Sequence, residues 1–342
     1  PMTADGAGTR VAPTLEMVAE RAGVSRATVS RVVNGSPRVS DETVAAVTAA
    51  IAELRYTPNR AARSLANRKA MAIALVIPED TTRFFGDPYF AAIVQGISTA
   101  LDDTGYALTL HLASASGRFD ATVAYLRGGN VDGALVVSHH TDDHVLAELG
   151  ESIPVVFGGR PADPASTDSY YVDVDNIAAA ADGTRFLVER GRRRIGTIAG
   201  PADMPAGVDR LTGWQQAMTD AGLEPDAAVH GDFTLAGGMR ATRELLDAHP
   251  DLDAIFVASD LMAMGAVTVL RERGIAVPEQ VAVMGFDDSP AALACEVPLT
   301  TVRQPSVEQG ERMARILLDL LAGRPVARRH LMPTSIVVRT SA

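Results

Sequence analysis

The residues of this chain best suited to chemistry on a polyanion lie in GVSRATVSRVVNGSPRVSDET, Gly23 to Thr43. Arg26 and Arg31 can each donate a bidentate pair of hydrogen bonds to guanine O6 and N7, while Ser25, Thr28, Ser30 and Asn34 suit phosphate oxygens. At helical spacing Arg26, Ser30, Arg31 and Asn34 share an outer face, and Val29, Val32 and Val33 supply a dry inner one. That division fits the second helix of a helix-turn-helix, the one that enters the major groove. A small structural three-helix bundle with a solvated basic face has the same pattern, and the residues alone leave both readings open.

The elements that must position these side chains are short. From Leu15 the pattern is helical, with Met17, Val18 and Ala22 on one face; Gly23 breaks it and Ser25 can cap the next helix. After Asn34-Gly35-Ser36-Pro37, Ser40 caps a third helix with Asp41 and Glu42 in its first turn, where the helix dipole favours carboxylates. Val44, Val47, Ile51 and Leu54 form its core-facing stripe. Residues 1–13 read as a flexible leader, 14–58 as the helical unit, and 59–69 as a small, basic linker after Pro58.

Charge separates this head from the rest. Residues 1–70 hold ten Lys and Arg against six Asp and Glu, a net of +4. The remainder of the 342 residues holds 21 basic and 36 acidic, a net of −15. A basic head on an acidic body points to a polyanion partner for the head. The 47% apolar and 21% charged composition excludes a disordered or fibrous chain. No apolar run approaches the roughly 20 residues that span a bilayer, and no signal-peptide pattern opens the chain, so a cytoplasmic protein without membrane contact is expected. The single Cys295 excludes an internal disulfide and a thiolate-rich metal site.

Beyond Ala70, short β-rich runs alternate with amphipathic helical ones. The strands are expected at 73–77, 107–112, 133–137, 155–158, 195–199, 254–258 and 281–286. This alternation predicts parallel sheets wrapped by helices, and about 270 residues of it suit two lobes with a ligand between them at the carboxyl ends of the strands. The chain contains no G-x-S-x-G, P-loop, H-E-x-x-H or G-x-G-x-x-G, so no enzyme and no cofactor are expected. In SHHTDDH the ligand types His139, His140, Asp142, Asp143 and His144 crowd together, but adjacent residues of an extended segment face opposite ways. No metal is therefore expected, and His140, just beyond a strand, is read as a hydrogen-bonding group at the cleft. The run Gly191 to Arg194, GRRR, reads as a solvated helix end with phosphate binding as its alternative.

Residues 14–69 resemble the DNA-binding head of the LacI/GalR family of bacterial transcription regulators, through AGVS, TVSRVVNG, the VS before the third helix, and Y-x-P-N-R-x-A-x-x-L. The resemblance implies that Arg26 and Ala27 choose the operator, that Arg31 contacts a base, and that Tyr56 and Asn59 belong to the DNA-binding set. It also implies that residues 59–66 form a hinge helix when two subunits meet on DNA, with Leu65 as a wedge between base steps. The body resembles the effector-binding core of the same family, through DPYFAAIVQGI, VDGALVVS, YVDVDN, GRRRIGTIAG, RLTGW, ASDLMAMGA, VAVMGFDD and PLTTVRQP. That core has the two-lobed fold of periplasmic sugar-binding proteins, and the implied lobes are 70–163 plus 300–324 and 164–299 plus 325–342.

A sugar site needs carboxylates, amides or guanidinium groups for hydroxyls, and aromatic faces for the ring. Arg210, Phe233, Asp260, Asp287 and Gln304 match family effector positions, and Tyr89 and Phe90 stand at the first strand-to-helix turn. Where many relatives have Asp-Arg after the fourth strand this chain has Gly159-Arg160, which removes one hydroxyl acceptor, leaves more room, and keeps Arg160 in the site. Trp214 is expected near the cleft. FFGDPYF, IAGPADMPAGVDRLTGW and GDFT are similar to repressors that sense cellobiose or related oligosaccharides. The expected partners are a sugar effector, a second copy of the chain, and a pseudo-palindromic operator, since one helix-turn-helix reads only a half-site. A purine or nucleoside effector stays open, and so does the sign of the response. An exported sugar-binding protein is disfavoured by the head.

Overall fold

The computed structural model describes residues 13–33, 38–56, 69–112, 119–141, 149–161 and 168–342. The chain divides after Ala70 into a head and a body. In the head, α1 (Leu15–Ala22) is capped by the Thr14 hydroxyl and closed by Gly23 in the left-handed region at φ 67°. There follow α2 (Arg26–Val33) and α3 (Asp41–Leu54), the latter capped by Ser40. Val18, Ala19, Val29, Val47, Ala50 and Tyr56 form the core. Two residues of the expected stripes lie outside it: Met17 and Val44 are exposed.

The body carries two six-stranded sheets, each flanked by helices. The first sheet is built from β1 (Ala72–Ile77), β2 (Ala107–Leu112), β3 (Gly133–Val137), β4 (Val155–Gly158), β5 (Tyr170–Val174) and β11 (Arg329–Met332). All its pairings are parallel, in the order β11-β5-β4-β3-β1-β2. The second contains β6 (Ile195–Ala199), β7 (Ala228–His230), β8 (Ala254–Val257), β9 (Ala282–Asp287), β10 (Thr300–Arg303) and β12 (Ser335–Val337). Its order is β12-β10-β9-β8-β6-β7, and only β12 runs antiparallel.

Among the described residues the α-helices of the body include α4 (Thr81–Gly86), α5 (Pro88–Leu101), α6 (Phe119–Tyr125), α7 (Asn176–Glu189), α8 (Pro205–Asp220), α9 (Leu235–Ala248), α10 (Asp260–Glu272), α11 (Pro290–Ala294) and α12 (Ser306–Leu321), and a π-helical stretch, Leu126–Asn130, follows α6. The sheet pairings correct the expected lobe boundaries. β5 joins the first sheet, so the first crossing falls at Asp175 rather than 164. β10 pairs with β9, so the second falls between Arg303 and Ser306 rather than at 300. β11 pairs with β5, which moves the third to between Met332 and Ser335 rather than 325. Lobe one packs Phe90, Ile93 and Ile97 of α5 and Met313 and Leu317 of α12 onto the first sheet.

Candidate functional site

In the head, α2 presents Ser25, Arg26, Ala27 and Arg31 as exposed residues and half-buries Thr28 and Ser30. Val29 beneath them is fully buried, so the helix has the dry and wet faces that groove insertion needs. Ser25 also caps α2: its Oγ accepts the Thr28 N–H at 3.1 Å and lies 2.9 Å from Thr28 Oγ1. Arg26 Nε lies 3.1 Å from Glu16 Oε1 on α1, an exposed ion pair.

In the body, a cleft of about 670 Å³, counting the part open to solvent, lies between the carboxyl ends of the two sheets. Lobe one contributes Arg83, Asp87 and Tyr89 after β1, Ser138 and His139 after β3, Gly159 and Arg160 after β4, and Asp173 of β5. Lobe two contributes Asn176, Met204, Arg210, Phe233, Ser259 and Asp287. Gln304, from the second crossing, and Gln309, from α12, complete it. Three of these turns are strained. Ser138, Phe233 and Asp287 hold φ at 61°, 61° and 114°, a region that costs non-glycine residues of order 1–3 kcal/mol and persists where function needs the resulting direction. Gly200 makes room for Phe233: a Cβ there would stand 2.3 Å from the ring's Cζ.

Arg210 anchors the floor. Its Nε donates to Asn176 Oδ1 at 2.9 Å and its Nη1 to the Ala258 carbonyl at 2.6 Å; the guanidinium stacks 3.6 Å from the Phe286 ring centroid. Nη1 lies 3.6 Å from Asp287 Oδ1, which also accepts Gln304 Nε2–H at 2.6 Å. Burial pushes the Asp287 carboxyl well above the usual range; Arg210 opposes the shift, and the charges of Asp260 and Asp87 add to it. Burial likewise raises Asp87, and raises Asp173 to about 6 although Asp173 accepts the backbone N–H groups of Arg160 and Val174.

Two charged bridges join the lobes at the rim. Arg160 grips Asp209 of α8 with both arms, Nε to Oδ2 at 2.7 Å and Nη2 to Oδ1 at 2.6 Å. His140 lies 2.8 Å from Asp203 of lobe two and 3.2 Å from Glu79 of lobe one, and Thr141 N–H donates to the Asp203 carbonyl at 2.9 Å. The hydrogen bond to Glu79, with that to Asp203 and the charges of both, raises His140 to about 9 against the opposing effect of burial. What the arrangement offers is a set of carboxylate and amide acceptors and donors flanked by Tyr89 and Phe233, suited to holding a polar ligand with hydroxyl groups.

Residues 14–59 match the model of bacterial regulatory proteins of the lacI family, and residues 184–342 that of the periplasmic binding protein-like domain. Over 335 residues the chain is 47% identical to the HTH-type transcriptional regulator CelR of Thermobifida fusca, covering 96% of this chain and 98% of that one. The chain belongs to the LacI family. Among solved structures, the CelR–cellobiose complex is 45% identical with a TM-score of 0.77, covering 96% of this chain and 100% of that one. The lac repressor dimer bound to operator and the anti-inducer ONPF is 30% identical with a TM-score of 0.84, covering 96% and 98%.

For this LacI-family regulator, the structure brings Tyr89, Arg160, Arg210, Phe233, Asp287 and Gln304 together at the cleft. It corrects five other expectations. Phe90 is 1% exposed in the core of lobe one, because it occupies the inner face of α5. Asp260 lies beneath the floor, accepting Thr301 Oγ1–H at 2.7 Å and Ser289 N–H at 2.7 Å, with its pKa raised to about 7 by burial; its neighbour Ser259 lines the cleft instead. His140 is a bridge between lobes at the rim, and His139 is the lining residue. Tyr56 is 8% exposed in the core of the head, packing rather than presenting its ring. Trp214, one turn beyond Arg210, is fully buried in the core of lobe two.

Asn34, Asn59 and Leu65, the hinge at 59–66, and Asp142 to His144 lie outside the described residues. Among the described residues no His, Cys, Asp and Glu cluster could hold a metal, and no helix is long and apolar enough to cross a membrane. Arginines of the GRRR run are structural: Arg192 donates to the Asp253 and Pro278 carbonyls, and Arg194 pairs with Asp251. Sequence reasoning missed Arg83, Asp87, Asp173, Asn176 and Gln309. Asp87 before Pro88 and Asp173 in YVDVD carried a polar signal at strand and helix ends; Gln309 carried none.

Proposed function

We propose that the protein is a repressor that binds a pseudo-palindromic operator as a homodimer and takes an uncharged sugar, cellobiose or a related oligosaccharide, in the cleft. Arg26, Ala27 and Arg31 read base edges in this account, Ser25, Thr28 and Ser30 meet the backbone, and Asn34, Asn59 and Leu65 extend that contact. The named cellobiose complex of a chain 45% identical supports the sugar class.

The observation that carries the reading is the charge state of the cleft. Each lining arginine already has a carboxylate partner: Arg83 has Glu79, Arg160 has Asp209, and Arg210 has Asp287. Asp87 and Asp173 stand there besides. A phosphorylated ligand would have to displace a carboxylate from a buried guanidinium, whereas hydroxyls can bond to Asp287, Gln304 and Gln309 and a ring can lie on Tyr89 or Phe233. Sugar that prefers one relative orientation of the lobes then shifts operator affinity by its differential affinity for the two states. The test is calorimetric titration of the full-length protein with cellobiose, cellobiose 6-phosphate, monosaccharides and nucleosides. The neutral disaccharide is expected to bind and its phosphate to be rejected; tighter binding of the phosphate or of a nucleoside would overturn the reading.

A further inference from the structure

Arg83 combines a position spanning the cleft with an unused donor. It stands on α4 of lobe one, lines the cleft, and has a side chain only 12% exposed. Its Nη1 lies 3.0 Å from Glu79 Oε1 and 3.7 Å from Met204 Sδ, and its guanidinium carbon 5.3 Å from the Phe233 ring centroid. Met204 and Phe233 belong to lobe two, so the side chain already reaches across. Its Nε is buried and has no hydrogen-bond acceptor among the described residues. Buried donors are nearly always satisfied, and one without an acceptor in a ligand cleft marks a place where a ligand atom completes the set.

The charge environment says what kind of atom. Glu79 is itself buried, accepts the Ser138 hydroxyl at 2.6 Å and lies beside His140, which fixes its carboxylate against Arg83. With its charge matched by Glu79, Arg83 acts as a directional N–H donor rather than as an anion clamp. We infer that Arg83 is an effector-binding residue whose Nε–H donates to an uncharged ligand oxygen, a hydroxyl or glycosidic one, and so ties the ligand to both lobes at once. This rests on the sugar reading of the cleft.

The experiment is calorimetric titration of cellobiose into full-length wild type, Arg83→Lys and Arg83→Gln, with a thermal melt of each to establish that it is folded. Both variants are expected to bind at least about tenfold more weakly, the range for a lost hydrogen bond to a charged group. Arg83→Lys keeps the charge beside Glu79 but has no N–H at the Nε position, so it separates the donor from the ion pair. Wild-type affinity in either variant overturns the assignment of Arg83 while leaving the sugar reading standing. A wild type that does not bind cellobiose overturns both.

Discussion

Arg31 is exposed near the end of α2, on the face opposite fully buried Val29, so its side chain is free to reach a groove without disturbing the core of the head. Arg31→Ala is expected to lose roughly 1–3 kcal/mol at the cognate operator and to relax preference at one base position, checked by binding to a set of single-base operator variants. Ser25, proposed above to meet the DNA backbone, is also the cap of α2. Ser25→Ala is therefore expected to destabilise the head by about 1 kcal/mol as well as to weaken DNA binding, which a thermal melt separates from a loss of contact alone. In the cleft, Asp287 is held by Gln304 and sits beside the buried Arg210. Asp287→Ala is expected to weaken cellobiose binding by at least about tenfold in the same titration, since it leaves Arg210 and Gln304 short of an acceptor.

The turns that close the strands onto the cleft carry more of the site than the strands do. Gly200 is the clearest case: Gly200→Ala would press a methyl against Phe233 and is expected to displace that ring and weaken sugar binding, with the fold of lobe two retained in a thermal melt. These elements were unequally legible in the sequence. Helices α1 to α3 were readable because caps at Ser25 and Ser40, the Gly23 break and a 3.6-residue stripe are all local signals. Strands β1, β3 and β8 were readable as short buried apolar runs. β11, RHLM, and β12, SIV, are short and half exposed, and which sheet β5 and β10 join depends on pairings across many residues. That is why the lobe crossings were misplaced. The same limit separated Asp260 from Ser259 and His140 from His139: neighbours in the chain point to different sides of a turn, and only the packed turn decides which one faces the ligand.

In the body as a whole, the two lobes meet through ion pairs at the rim and through the lining of the cleft, so the protonation of His140 contributes to the strength with which they are joined. His140 gains stability from its carboxylate partners Glu79 and Asp203, with Arg83 paired to the same Glu79. Its folded pKa of about 9 lies above the ordinary histidine value of 6.5, so this contribution is fully present below about pH 6.5 and is lost as pH rises toward 9. Thermal melts from pH 6 to pH 9.5 are expected to fall more steeply for wild type than for His140→Gln; parallel curves would remove His140 from the bridge. The acidic body, at a net of −15 against +4 for the head, leaves DNA contact to the head and makes operator binding salt-dependent. The most direct test of the whole account is operator binding by full-length protein measured across a cellobiose titration, with calorimetry of the same samples. The account predicts saturable cellobiose binding and a shift in operator affinity over the same concentration range; saturable sugar binding with unchanged operator affinity, or no sugar binding at all, would contradict it.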